Sequence, residues 1–357
     1  MRLHPPRRTM SPLRAGALGL SLLWAASAAW AGKLPQVSDL GGLLPDGFAS
    51  ALALNQDGVS IGIAERPGDH QTVQAIWRKP GQAQALPPCC ASGLGTPRSI
   101  NLGREAVGDY TATKDWNAPV YWSADGQAHA LPVVGGFGLG KAFSINDAGQ
   151  ITGSNVEDSG AQVAVIWDRT NSVTPLGSMG SPGPDYRPFH EGHGINASGV
   201  VAGWALINGQ MKAFRWAAGQ FTDLGPGNAT HINDGGLIAG YAPGMIPAVW
   251  RDGVMSYLPG RDGGNRAYGH LVLGLNNLGD MVGYAPAPNP GVHTIAVLWK
   301  GRKVVTLGHY PGGTHSVATG INDRGLMVGY GNLVDGGPMH ALQWKLVKGV
   351  AQVSLRD

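Results

Sequence analysis

The sequence predicts an all-β fold, a seven-bladed β-propeller built from seven four-stranded repeats of about 45 residues. Three observations lead there. First, an Asn followed seven residues later by a Gly recurs at Asn55/Gly62, Asn101/Gly108, Asn146/Gly153, Asn196/Gly203, Asn233/Gly240, Asn276/Gly283 and Asn322/Gly329. Second, a Trp follows each copy: Trp77, Trp122, Trp167, Trp216, Trp250, Trp299 and Trp344. Third, 57 Gly and 25 Pro in 357 residues, with sparse charge, suit many short strands joined by tight turns.

The N-terminal segment stands apart from the repeats. Arg2, Arg7, Arg8 and Arg14 precede an apolar run from Ala15 to Ala29, and Ala29-Trp30-Ala31 follows. A charged start, a short apolar core and small residues at a cleavage point read as a secretory signal over 1–31. The run is too short for a spanning helix, and no later stretch is long and apolar enough to anchor the chain in a membrane. Residues 32–357 are then a single propeller in a periplasmic or extracellular compartment. The segment 1–31 holds four Arg and no acid, so 22 basic residues face 23 acidic ones in the rest. That near-neutral balance excludes a nucleic-acid partner, which needs a basic footprint. Cys89 and Cys90 are adjacent. They form a vicinal disulfide or stay as two thiols, and with no nearby Cys/His pair they make no zinc site.

Each repeat opens with a hairpin. In "INDAGQITG" (145–153), Asn at position i and Gly at i+3 fit a type I turn with a left-handed last residue, flanked by strand-like residues. Six copies keep that Gly; the second has Arg104 in its place. Asp147, Asp234 and Asp323 are turn residues, since no run of oxygen ligands accompanies them. The second Gly falls inside a strand, where a Trp on the adjacent strand is expected to cover it. The Trp strand reads "VAVIW" or "KAFRW", and a fourth strand such as "GQFTDLG" or "RKVVTLG" follows a short turn. The leading "PQVSDLG" (35–41) or the C-terminal "VAQVSLR" (350–356) would complete the last blade. A parallel β-helix is the competing architecture, but its repeats are usually shorter.

The pattern IN-x-x-G-x-x-x-G, with a later x-Ala-x-x-Trp and a closing Asp-Leu-Gly, resembles the HAF repeats of bacterial probable extracellular repeat proteins. The resemblance spans nearly all of residues 32–357 and implies no particular chemistry. His-Ala-Phe before the Trp is poorly kept: His340-Ala341-Leu342 retains the His and Lys212-Ala213-Phe214 the Phe.

The conserved-looking repeat residues are therefore scaffold, and function is sought where the repeats differ. The blade-to-blade loops are long and varied. "GPDYRPFHEGHG" carries Tyr186, His190 and His193; "GRDGGNRAYGH" carries Arg266, Tyr268 and His270; "GHYPGGTHS" carries Tyr310 and His315. Trp116, in a loop between second and third strands, joins them. On one face of a propeller these residues are expected to ring the channel mouth. Aromatics with Arg and His suit a carbohydrate or peptide ligand. The sequence thus predicts an exported, non-catalytic binding module without a cofactor. The alternative is a polysaccharide hydrolase or lyase, with His190, His270 and His315 as candidate ligands of a divalent metal. "HEGH" is not the zinc helix motif, and no nucleophile elbow, Walker loop or dinucleotide fingerprint occurs.

Overall fold

The computed structural model describes residues 33–88, 95–113, 116–170, 172–180, 187–264, 266–267, 269–287 and 294–348. The signal at 1–31, Cys89 and Cys90, Tyr186, Tyr268 and the stretch 350–356 lie outside them. Residues Pro35–Leu346 form one compact unit; the other, Met1–Leu34 with Val347–Asp357, lies almost wholly outside the described residues.

The compact unit holds seven four-stranded antiparallel sheets, the blades of a β-propeller. Blade 3 is typical, with strands Gly140–Ile145, Ile151–Val156, Gln162–Trp167 and Val173–Pro175. The inner strands of the seven blades are Ala49–Leu54, Gly95–Ile100, Gly140–Ile145, His190–Ile195, Asn228–Ile232, Leu271–Leu275 and Ser316–Ile321. Strand Lys33–Asp39 supplies the outer strand of blade 7, so the leading segment closes the ring. No described helix is long and apolar enough to cross a membrane.

The turns follow the sequence reading. Gly149 N–H donates to Asn146 O at 3.0 Å, and Gly149 sits at φ 78°. Arg104, which replaces that Gly in blade 2, takes the same left-handed conformation at φ 64°.

The Asn does more than shape its turn. Each side-chain Oδ1 accepts the N–H four residues on, at 2.8–3.0 Å. Each Nδ2–H donates to the carbonyl of the Asn in the next blade, at 2.9–3.2 Å. The last of these, from Asn322 to Asn55 O, closes a ring of seven hydrogen bonds. A partial second ring lies outside it. The residue after the Asn accepts from the previous blade's N–H: Leu102 to Asp147, Ala197 to Asp234, Asn277 to Asp323.

The Trp works at the same seams. Its indole N–H donates to a backbone carbonyl at the end of the preceding blade, at 2.6–3.4 Å in all seven copies. The hydrophobic core is correspondingly divided into seven clusters, each shared by two neighbouring blades. One joins Val107 and Leu131 of blade 2 to Ala142, Ile151, Val165 and Trp167 of blade 3. Another joins Leu40, Val328 and Ala341 of blade 7 to Ala51, Ala75 and Trp77 of blade 1.

The in-strand Gly has a different cause from the one expected. A Cβ at Gly240 would lie 2.0 Å from Asn228 O, and at Gly62 1.9 Å from Ser50 O. The first obstacle at all seven is an inner-strand carbonyl, with a ring added at two of them, Trp167 at Gly153 and Phe214 at Gly203. It lies that close because each inner strand carries a β-bulge opposite the Gly. In blade 3, Ala142 pairs with Gly153 and Ser144 with Thr152, which leaves Phe143 without a partner.

Candidate functional site in the channel

The residues expected at the channel mouth divide on inspection. His190 begins the inner strand of blade 4 and is 3% exposed. Its Nδ1 accepts Ala164 N–H of blade 3 at 2.9 Å, and burial lowers its pKa to about 4. His270 is buried, accepts Arg261 N–H on Nε2 at 3.2 Å, and lies 6.0 Å from the Trp299 ring. Both fill seams between blades. His315 is half-buried and donates its backbone N–H to Asn332 Oδ1 at 2.7 Å. Tyr310 packs on the core shared by blades 6 and 7. Arg266 Cζ sits 4.4 Å from the ring centroid of Tyr257. Trp116 opens the third strand of blade 2 and pairs with Thr113. His190, His270 and His315 belong to three different seams, and among the described residues no group of three His, Cys, Asp or Glu could hold a metal. The structure does not bring these three together, the ligands that the alternative reading would give a divalent metal.

His193 is placed differently. It is the bulged residue of its inner strand, between Gly192 and Gly194. The bulged residues of the seven blades are Leu52, Arg98, Phe143, His193, Thr230, Leu273 and Thr319. All seven line one cavity of about 320 Å³ in the centre of the ring. An unpaired residue is released from the pleat's alternation, so each bulge turns one side chain into the channel. Below them Leu54, Ile232 and Leu275 face both this chamber and a second cavity of about 190 Å³, which the Asn turns surround.

The chamber wall is asymmetric. Leu52 and Leu273 make it apolar on blades 1 and 6, whereas blades 2 to 5 contribute Arg98, Phe143, His193 and Thr230 with His231. The His193 ring stacks on Phe143 at 4.1 Å and 13° between planes. Arg98 Cζ lies 5.2 Å from the same ring's centroid. Arg98 Nε donates to Asp109, a buried carboxylate that also accepts from Asn117. His193 Nε2 lies 2.8 Å from Glu191 Oε2, and the Trp204 indole N–H points at His193 Nε2 from 3.2 Å. Glu191 is buried and accepts from Gln162 as well. Burial pushes the Glu191 carboxyl up, but the His193 hydrogen bond and charge, with Lys141 and Gln162, outweigh it and leave the pKa lowered.

His231 is held neutral: burial first, then the charge of His193, lowers its pKa to about 4. Its Nε2–H donates to Leu273 O at 3.1 Å, and its Nδ1 lies 2.8 Å from Thr230 Oγ1. Thr319 Oγ1 is spent on Ala51 O at 2.8 Å. The groups left to meet a ligand are therefore concentrated on blades 2, 3 and 4.

Sequence reasoning missed Arg98 and Phe143. A signal was present: every bulged residue stands three positions before the repeat Asn. Down that column the residue changes from blade to blade, while the Asn, Gly and Trp columns stay constant.

No family model matches the chain, and no curated protein matches it. Solved structures do. A prolyl endopeptidase is similar over 83% of this chain and 47% of its own, with TM-score 0.54 and 12% identity. The acylaminoacyl peptidase of Pyrococcus horikoshii is similar over 86% and 52%, with TM-score 0.51 and 11% identity. A putative TolB from Agrobacterium tumefaciens is similar over 88% and 98%, with TM-score 0.41 and 10% identity. At such identities the likeness shows the β-propeller fold alone. This chain spans about half the length of the two peptidases.

Proposed function

We propose that this chain is an exported propeller of the HAF-repeat kind that binds, without transforming it, part of a carbohydrate or peptide in its central channel. One observation carries the reading. A chamber of about 320 Å³ receives the bulged side chain of every blade, at a repeated position whose residue changes from blade to blade. That volume lies at the small end of ligand pockets, enough for a sugar ring or a terminal residue. The aliphatic side chains below the chamber favour entry from the opposite face, where the blade-to-blade loops with Arg266, Tyr310 and His315 form the approach. Export rests on the sequence of residues 1–31.

The experiment is a calorimetric screen of oligosaccharides and short peptides against the protein and two variants. Phe143→Ala should abolish binding at unchanged fold, and Asp147→Ala, on the Asn side, should leave affinity as it was. A ligand whose affinity ignores Phe143→Ala would place the site elsewhere.

A second reading is favoured by the Glu191–His193 pair, a buried carboxylate holding an imidazole that faces the chamber. In a lyase or hydrolase of polysaccharide, His193 would move the proton. Release of new reducing or unsaturated ends from a polysaccharide, lost in His193→Gln, would decide for it.

A further inference from the structure

We propose that the chamber recognises a carboxylate with an adjacent hydrogen-bonding group, the acid gripped by Arg98 and the second group by His193 on either side of Phe143. The proposal rests on the channel being the binding site and names the chemistry of what it takes.

Arg98 is the only cation of the seven bulged residues besides a chargeable His193, and it is anchored rather than free to swing. Asp109 takes its Nε–H, and Asp109 is itself buried and fixed by Asn117. No described residue bonds the Nη1/Nη2 end of the guanidinium. A planar fork held at one edge, with its end left open in a cavity wall, is the geometry that receives a carboxylate through two parallel hydrogen bonds. The Arg98 side chain keeps 33% exposure, so that end stays reachable.

His193 supplies the second point. Its Nε2 faces Glu191 Oε2 and the Trp204 indole N–H, and its Nδ1 has no hydrogen-bond partner among the described residues. Nδ1 is thus the ring nitrogen left for a ligand, and a hydroxyl, which both donates and accepts, pairs with it in either tautomer. Stacking on Phe143 holds the imidazole plane still. Arg98 Cζ and the His193 ring can be no further apart than the 5.2 Å and 4.1 Å to the Phe143 centroid laid end to end. One small ligand can span that gap. Two sources share this chemistry: an acidic sugar, with hydroxyls near its carboxylate, and a peptide C-terminus, with the last peptide group near its own.

The test is isothermal titration of the full chain with four probes: galacturonate, its neutral counterpart galactose, an N-acetylated dipeptide with a free C-terminus, and the same dipeptide amidated. The expected result is that one acid probe binds and its neutral counterpart binds at least tenfold more weakly. The winning pair identifies the source. Arg98→Gln should bring the acid probe down to the neutral one's affinity without changing the latter. His193→Phe keeps the stack but removes the ring nitrogen, and should weaken both members of the pair. Thermal melting checks that each variant is folded; if Arg98→Gln does not fold, Arg98→Lys, which keeps charge and loses the fork, replaces it.

Equal affinity for acid and neutral probes, or a tenfold preference that survives Arg98→Gln, overturns the assignment. If Phe143→Ala still abolishes binding in that case, the channel remains the site and only the carboxylate reading fails. If none of the four probes binds, the carboxylate reading is overturned, while the wider screen still tests the channel.

Discussion

Replacing Asn146 by Asp changes one atom of the ring that joins the blades. The wild-type Nδ2–H donates to Asn196 O and Gln150 Oε1, both at 2.9 Å, while Oδ1 accepts Gln150 N–H at 2.9 Å. Asp keeps the acceptor and loses the donor. Asn196 O is left without that partner in a buried seam, which costs about 1–3 kcal/mol. A carboxylate in Asn146's nearly buried position also faces two oxygens, so the total should reach about 2–4 kcal/mol. Asn146→Ala should cost a similar amount by stranding Gln150 N–H as well. The two variants separate with pH. One carboxyl oxygen still accepts Gln150 N–H, but the other faces two oxygens in a buried seam, which raises the folded pKa above its unfolded value. The penalty of Asn146→Asp is therefore small below the ordinary carboxylate range and grows as pH rises through the raised pKa. Denaturant unfolding at pH 4 and pH 7 checks this, with Asn322→Asp run alongside at the seam of first and last blades. An Asp variant as stable as wild type at pH 7 would refute the view that the amide N–H joins the blades.

Gly240→Val should cost about 1–3 kcal/mol or prevent folding, because the new Cβ would meet Asn228 O at 2.0 Å. A crystal structure showing Trp250 moved and the bulge intact would contradict that cause. Arg104→Gly should raise stability by up to about 1 kcal/mol, since Arg104 holds φ 64° where the other repeats have Gly; a lower melting midpoint would mean the Arg side chain matters more than its backbone. His190, with a folded pKa of about 4 against an ordinary 6.5, stabilises the fold fully above pH 6.5, and the contribution fades as pH falls toward 4. The loss is about 3 kcal/mol, and His190→Gln should flatten stability between pH 7 and 4; an unchanged slope would show that His190 is not the group refusing the proton.

The blade number and the strand order were legible because Asn, Gly and Trp repeat one contact per blade, and each contact fixes a backbone feature. The column three before the Asn was not legible by the same route. Its residues share no type, and a bulge breaks the two-residue alternation by which strand faces are assigned. Its visible mark was the in-strand Gly, whose neighbour proved to be the carbonyl two residues before the bulged one. His190 and His270 attracted attention by polarity and loop position. Whether such a residue meets water is decided by what packs on it, here Ala164 N–H of the adjoining blade for one and the Trp299 ring of its own blade for the other. His193, three residues along from His190, turns inward because it is the residue that pairs with nothing.

The bulges separate what the molecule is made of from what it says. A bulged side chain is absent from the seam clusters, so it can be exchanged without repacking a core, while the Gly opposite keeps the bulge in place whatever residue occupies it. Read around the ring, the chain spells Leu-Arg-Phe-His-Thr-Leu-Thr on an otherwise uniform page. A relative with the same Asn, Gly and Trp columns and a different seven-letter word would fold identically and hold a different ligand, and that word can be copied directly from the sequence.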